Sequence, residues 1–384
     1  MQIPLSSPDI TSLEKTYVQK VLETPNLSLG PLLVEFESAF ANYLGSQYAV
    51  AVNSGTSGLH LAVKALGIGE GDAVVTTPFS FVASANCILF ERARPLFVDI
   101  DPHTYNIDIG IMEEEIQNSE RRDGRLKAIL PVHVFGRPCD MTRLMDVATK
   151  HALHVVEDAC EALGAECRGK KVGTFGSTGV FAFYPNKQMT TGEGGMIVTN
   201  DGKIARLCKS FRNQGRSENG AWLSHERLGY NYRLSDIHCA IGLAQLQRID
   251  EILSKRAAVA TLYNDKLENL EELHIPIIQK DFRISWFVYV VRLTDHYSRE
   301  DRDRILAGLK AAGIGCNNYF SPIHLQAFYR ETFGFERGDF PVAEHVADRT
   351  IALPFYNTLT GDQIEYVVRN LKILLSTTKS RAHT

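Results

Sequence analysis

An excess of charge of either sign is missing from this 384-residue sequence: 41 Lys and Arg stand against 45 Asp and Glu, for a formal net charge of −4. A protein that tracks a nucleic-acid backbone needs a concentrated basic surface, so nucleic acid is not expected as a partner. Cysteine is sparse, at seven. Those seven never fall in CxxC spacing, which argues against a disulfide framework or a zinc ribbon and fits a reducing, cytoplasmic setting. HExxH, EF-hand, GxxxxGK[ST] and GxGxxG patterns are all absent, so no metal site, P-loop or dinucleotide fingerprint is expected. The opening MQIPLSSPDITSLEK lacks the basic start and apolar run of a secretory signal. One uncharged run, AVVTTPFSFVASANCILF over 73–90, is about the minimum length of a membrane span. Pro78 and the scattered Thr, Ser and Asn residues interrupt it, so it reads as strand, loop and helix in an interior, with no membrane association.

What is present is an alternation. The β-branched or aromatic runs YAVAV (48–52), AVVTT (73–77), PLFVDI (95–100), LKAILPVHV (126–134), LHVVED (153–158), GVFAFY (179–184) and GMIVTN (195–200) are separated by helix-periodic stretches. That pattern implies an α/β fold, a mostly parallel seven-stranded sheet covered by helices in three layers. From about Gly242 a long amphipathic stretch leads to a smaller α+β region, with a strand at 286–293, a helix at 299–312, an extended IGCNNYF and a last helix near 361–375. The expected division is a large domain over 1–245, whose first ~30 residues contribute to the site, and a small domain over 246–384. The tail STTKSRAHT reads as frayed and ERRDGRLK (120–127) as a solvated loop.

Ligands in such sheets bind beyond the carboxyl ends of the strands, and three of those ends carry chemistry. FAFYPNKQMTTGEGG delivers Lys187 from an aromatic, uncharged turn. Desolvation there disfavours the ammonium form and favours the neutral amine that attacks a carbonyl, although a surface lysine in a loop has the same local sequence. VVEDACEALG ends a strand with Asp158, followed by Glu161. A carboxylate so placed holds a heterocyclic nitrogen protonated, as pyridoxal phosphate requires; the same pair also reads as a helix-capping box. AVAVNSGTSGLHLA runs from a strand through Thr56 and Ser57 into an amphipathic helix, whose free N–H groups and dipole suit a phosphate or serve as a plain turn. His133, at a strand end in PVHVFGRP, reads as scaffold more readily than as a ligand.

Together, FAFYPNKQMTTGEGG, EDACEALG, NSGTSGLHLA, RNQG and GYNYRLSDIHCAIGLAQLQRID resemble the DegT/StrS family of sugar aminotransferases, pyridoxal-phosphate enzymes of the aspartate-aminotransferase fold. The similarity runs from SLGPLLVEFE to ALPFYNTLTGDQIEYVV, nearly the whole chain. The resemblance implies that Lys187 holds pyridoxal 5'-phosphate as a Schiff base and moves the proton between substrate carbon and cofactor, with the pyridoxamine form as intermediate. It implies that Asp158 pairs with the pyridine nitrogen, that Glu161 contacts the phenolic oxygen, that Thr56 and Ser57 hold the phosphate and that Phe81 stacks on the ring. It further places Asn231 at the phosphate of a neighbouring subunit, hence a homodimer with shared sites, and Tyr319 and His324 on the substrate side.

One departure stands out. Many members carry a serine where this chain has Ala182, so one hydroxyl of the phosphate cup must come from elsewhere, for example Thr190. The implied reaction moves an amino group from L-glutamate to a keto group of a nucleotide-linked sugar, probed first as a 4-keto-6-deoxy hexose, for polysaccharide, O-antigen or glycoside biosynthesis. Alternatives are a 3-keto sugar, a cyclitol or another ketone, or a non-catalytic regulator on the same fold. The family's dehydratases carry His at the lysine position, which separates them from this chain.

Overall fold

The computed structural model describes residues 1–122, 125–217 and 224–381. Its strands in chain order are β1 (Tyr48–Val52), β2 (Ala73–Thr76), β3 (Arg94–Phe97), β4 (Leu126–Ile129), β5 (His154–Asp158), β6 (Glu166–Cys167), β7 (Lys170–Lys171), β8 (Thr178–Ala182), β9 (Gly195–Thr199), β10 (Leu273–His274), β11 (Phe282–Arg283), β12 (Tyr289–Leu293) and β13 (Thr350–Leu353). All seven β-like runs of the sequence enter one sheet in the order β1-β9-β8-β5-β4-β2-β3. Neighbours from β8 to β3 are parallel; β9 runs antiparallel to both β1 and β8.

The near-continuous apolar character of these strands follows from burial on both faces. Side chains alternate across a strand, so Ala49, Ala51, Val155, Phe181 and Met196 join one core, while Val50, Val52, Val156, Val180 and Ile197 join the other. Helix Pro31–Leu44 covers the first face with Leu33, Phe36 and Phe40. Helix Gly55–Ala65 covers the second with Leu59, Leu61, Ala62 and Val63. The uncharged run is strand β2, a loop and helix Ala83–Phe90, all in this interior. Among the described residues no helix is long and apolar enough to cross a membrane.

The long amphipathic stretch divides into helices Asp236–Gln247 and Ile249–Leu267, broken at Arg248, whose guanidinium ties Asp9, Glu14 and Glu251 together. The second of these helices starts in the sheet core with Ile249 and Leu253 and ends, through Tyr263 and Leu267, in a separate core. That core is built on the antiparallel order β10-β12-β13 and takes Ile3 from the chain start. β13 and the helices Ala327–Phe333 and Pro341–Ala347 are elements that the sequence pattern did not disclose.

Two loop expectations change. The last helix spans Gly361–Arg381, so most of the tail is helical rather than frayed: Leu371, Leu375 and Thr378 keep one helical face buried. Within 120–127, helix Ile109–Arg122 and β4 take up both ends, and residues 123 and 124 lie outside the described residues.

Candidate active site

The carboxyl ends of β1, β5 and β8 open into one cleft of about 810 Å3. β5 delivers Asp158 to its floor. Asp158 Oδ2 accepts a 2.7 Å hydrogen bond from Ser84 Oγ, itself 2.8 Å from Ser80 Oγ, and Oδ1 accepts from the Cys160 N–H at 3.1 Å. These bonds fix the carboxylate's direction. Its neighbour Glu157 faces the opposite way, as strand alternation requires, and does not line the cleft. It is sealed in the scaffold, accepting from the N–H groups of Gly173, Phe175 and Gly176 at 2.7, 2.6 and 2.8 Å and lying 3.2 Å from His133 Nε2. His133 Nδ1 accepts from the Cys139 N–H, so this fully buried histidine is a scaffold residue.

After β8 the chain turns, with the Lys187 N–H donating to Tyr184 O at 2.9 Å, and puts the lysine side chain into the cleft. Lys187 Nζ lies 3.7 Å from Glu161 Oε1 and 3.9 Å from the centre of the Phe287 ring. The following residue, Gln188, is buried and anchors the turn by donating to Glu161 O and Ser285 O. Glu161 Oε2 accepts from the Phe135 N–H at 2.9 Å. Burial pushes the Glu161 carboxyl up from the usual carboxylate range, against the opposing pull of the Lys187 charge.

At the third strand end Ser54 caps helix Gly55–Ala65, accepting from the Ser57 N–H at 3.1 Å. Ser54, Gly55 and Thr56 line the cleft. Ser57 does not: it is buried, and its hydroxyl donates to Asn53 Oδ1 at 2.7 Å. Gly55 is required by close approach, since a Cβ there would meet Ala182 Cβ at 2.7 Å and Cys160 Sγ at 3.0 Å. Thr190 cannot replace the missing serine hydroxyl. It is buried away from the cleft, where its Oγ1 donates to Phe183 O and accepts from the Gly192 N–H.

Phe81 lines the cleft and is 61% exposed, so it is no ordinary core phenylalanine. Tyr319 also lines it, stacked between Phe320 at 5.0 Å and Phe287 at 6.4 Å. Asn231 is exposed and outside the cleft of its own chain. His324 is fully buried outside the cleft, against Phe340 and 3.0 Å from Glu344 Oε1, so the structure withdraws it from the substrate side. No residue of the first 30 lines the cleft of its own chain. Among the lining residues to which the sequence reading gave no role are Ser84, one helical turn after Ser80, and Phe287, a hundred residues from the lysine it flanks.

The donor set fits pyridoxal phosphate: an amine, an oriented carboxylate, a helix start with free N–H groups and an exposed aromatic ring share one cavity. The model for the DegT/DnrJ/EryC1/StrS aminotransferase family matches residues 8–372. The chain belongs to that family.

Among its relatives, GDP-perosamine synthase of Caulobacter vibrioides is 39% identical over 376 residues, covering 97% of this chain and 98% of the relative. The solved structure of PseC from Helicobacter pylori, an aminotransferase of pseudoaminic acid biosynthesis, superposes with a TM-score of 0.92 at 28% identity, covering 98% of this chain and all of that one. The PLP form of Spr1654 from Streptococcus pneumoniae gives a TM-score of 0.92 at 26% identity over the same shares. This member of the DegT/DnrJ/EryC1/StrS family is therefore a pyridoxal-phosphate-dependent sugar aminotransferase, with the α/β fold and seven-stranded sheet of its structural neighbours.

Proposed function

We propose that the enzyme transfers an amino group from L-glutamate to a keto group of a nucleotide-linked deoxy sugar, with a 4-keto-6-deoxy hexose as the first substrate to test. It works as a cytoplasmic homodimer. The observation that carries the reading is the position of Lys187 Nζ, between Glu161 and Phe287 in the cleft that also holds Asp158 and the start of helix Gly55–Ala65. The name of the Caulobacter relative, GDP-perosamine synthase, supports a nucleotide-linked amino sugar as product. Exposure of Asn231 on its own chain supports its reaching a neighbouring subunit.

Bound pyridoxal phosphate supplies the carbonyl that takes up the amino group and the conjugated ring that stabilises the carbanion next to it. Lys187 Nζ is the group placed to lift a proton from the substrate carbon and return it, working as base and then acid. The Phe287 ring on one side of that nitrogen excludes water from it. Asp158, with Ser84 and the Cys160 N–H fixing its two oxygens, holds a proton on the ring nitrogen. Glu161, raised by burial, shares a proton at the ring oxygen. The Gly55 and Thr56 N–H groups, with the Ser54 and Thr56 hydroxyls, bind the phosphate. Phe81 orients the ring by stacking.

The test is purified enzyme with L-glutamate and a panel of nucleotide-linked 3-keto and 4-keto sugars, with 2-oxoglutarate release followed in time and the aminated carbon placed by NMR. Amination at C4 of a 6-deoxy sugar is the expected result. Turnover confined to C3 ketones, to unlinked ketones or to another amino donor would overturn the corresponding part of the proposal.

A further inference from the structure

Arg256 is 3% exposed, and among the described residues no carboxylate lies in ion-pair contact with it. Burial pushes its guanidinium down from the usual arginine value, yet the group stays charged at neutral pH. A buried charge without a counter-ion is costly, so the groups it binds instead indicate what it is for. Its Nε donates to Trp286 O at 2.6 Å, its Nη2 to Phe287 O at 2.7 Å and its Nη1 to Asn357 Oδ1 at 3.1 Å. Asn357 donates in turn to Asp9 Oδ2 at 3.0 Å, which puts that carboxylate one residue away from the guanidinium. Arg256 stands where helix Ile249–Leu267 passes from the sheet core at Leu253 to the smaller core at Val259.

Trp286 and Phe287 precede β12 and lie outside its ladder with β13. In an extended chain successive carbonyls point to opposite sides, so two consecutive ones meet a single guanidinium only where the chain bends, as it does at Phe287. The planar fork of the arginine fixes both peptide groups at once and with them the direction of the Phe287 side chain. That ring is 2% exposed, lies 3.9 Å from Lys187 Nζ and stacks on Tyr319 with the planes 16° apart. Lysine carries its amine on a flexible four-carbon stem, and here the ring and Glu161 are what confine it.

We propose that Arg256 is a positioning residue for the transamination: by fixing the bend at Phe287 it holds the ring against Lys187 Nζ and keeps the amine on its proton-transfer path. The proposal rests on the reading of Lys187 as the group that moves the proton. An arginine that merely fastened the helix to β12 would change stability when replaced and nothing else.

The first readout needs no bound cofactor. Apo-enzyme is treated with limiting acetic anhydride, and acetylation of Lys187 is measured by peptide mass spectrometry relative to the exposed lysines of the same chain. Arg256→Met, which fills the space but makes none of the three bonds, should release the ring and speed labelling of Lys187 by about three- to ten-fold. Phe287→Leu should do the same, and Arg256→Lys, with the charge but not the fork, should fall between wild type and Arg256→Met. In the holoenzyme Arg256→Met should lower kcat by roughly ten- to hundred-fold with KM for the amino donor within about three-fold, and Arg256→Lys should recover part of the loss. The Arg256→Met/Phe287→Leu double variant should be no slower than the poorer single one, because both changes remove the same contact. Tyr263→Phe serves as the stability control: it loses a buried hydrogen bond to Pro354 O from the same helix and should leave labelling and kcat at the wild-type level.

Labelling at the wild-type rate in both Arg256→Lys and Arg256→Met would overturn the positioning role alone, as would effects on kcat that add in the double variant. The milder Arg256→Lys keeps the labelling comparison available if Arg256→Met does not fold. Turnover that survives Lys187→Ala would overturn the lysine reading and the proposal with it, so the two failures are told apart.

Discussion

Glu157 and Asp158 are consecutive carboxylates on one strand, yet they have opposite environments. Glu157 is closed, with three backbone N–H groups and His133 Nε2 around its two oxygens and no exposure. Asp158 is held by Ser84 and by Cys160, with no backbone N–H cluster around it, and lines the cleft. The difference comes from the two-residue period of a strand and not from composition. A saturated carboxylate holds the loop over 173–176 against β5; an unsaturated one is left to bind something the chain does not itself supply. Lys187 and Glu161 stand on the open side of this divide and Arg212, ion-paired to Glu37 in the interior, on the closed side.

The largest effect expected from testing this contrast is at Lys187. Lys187→Ala removes the group that moves the proton and should abolish transamination, by at least about 10⁴-fold in kcat, while the protein remains folded. Substantial turnover in the variant would place the proton transfer on another residue. Next is Asp158→Asn, which keeps the Ser84 contact but removes the charge facing the cleft. A fall in kcat of roughly 10²- to 10³-fold is expected, with thermal stability near that of the wild type.

The closed carboxylate should show the converse. Glu157→Gln cannot accept from all the N–H groups now directed at it, so unfolding free energy should fall by about 3 kcal/mol while the folded fraction keeps its kcat. If Glu157→Gln proved catalytically dead yet stable, the division of roles along β5 would be wrong.

A smaller effect separates Glu161 from both. Its carboxyl is raised by burial, so the protonated form is the one favoured by folding. The contribution is therefore full below the ordinary glutamate value and is lost as pH rises through the raised one. Apo-enzyme unfolded with denaturant across this range should lose stability with rising pH, and Glu161→Gln should flatten that slope. An identical slope in the two proteins would mean that Glu161 ionises as readily folded as unfolded.

Much of this contrast could be read in the sequence, and the part that could not has a physical reason. The strands were legible because burial on both faces makes them nearly continuous apolar runs, and Asp158 and Lys187 because each ends such a run at a polar turn. Two adjacent acids do not reveal which one faces a ligand until the register is known; that Glu157 is closed depends on N–H groups some sixteen to nineteen residues away. Phe287 reaches Lys187 from another element altogether. The short helices Ala327–Phe333 and Pro341–Ala347 carry too few turns for periodicity to register. His324 illustrates the opposite error: its sequence setting resembles a substrate contact, but its ring is enclosed by Phe335, Phe340 and Glu344.

The smallest effect concerns a position that is open for lack of a group. Ala182 lines the cleft at the position where the family resemblance implies a serine, and Thr190, the nearby hydroxyl in sequence, is turned into the interior. Gly55, with no side chain, lets the start of helix Gly55–Ala65 pack closely against Ala182, so the first N–H groups of that helix lie beside position 182. A hydroxyl added by Ala182→Ser would meet a phosphate already held by those groups, so it adds to an existing cup and does not create one. Its gain should therefore sit at the low end for a charge-assisted hydrogen bond, about 1.5 kcal/mol or roughly ten-fold tighter retention of pyridoxal phosphate. Equilibrium dialysis followed by cofactor absorbance measures this, with kcat expected to stay within about two-fold of the wild type because the substitution leaves the Lys187 amine and the Asp158 carboxylate unchanged. Retention equal to or weaker than that of Ala182 would mean that the phosphate lies away from the β8 end and that Ser54, Gly55 and Thr56 hold it alone.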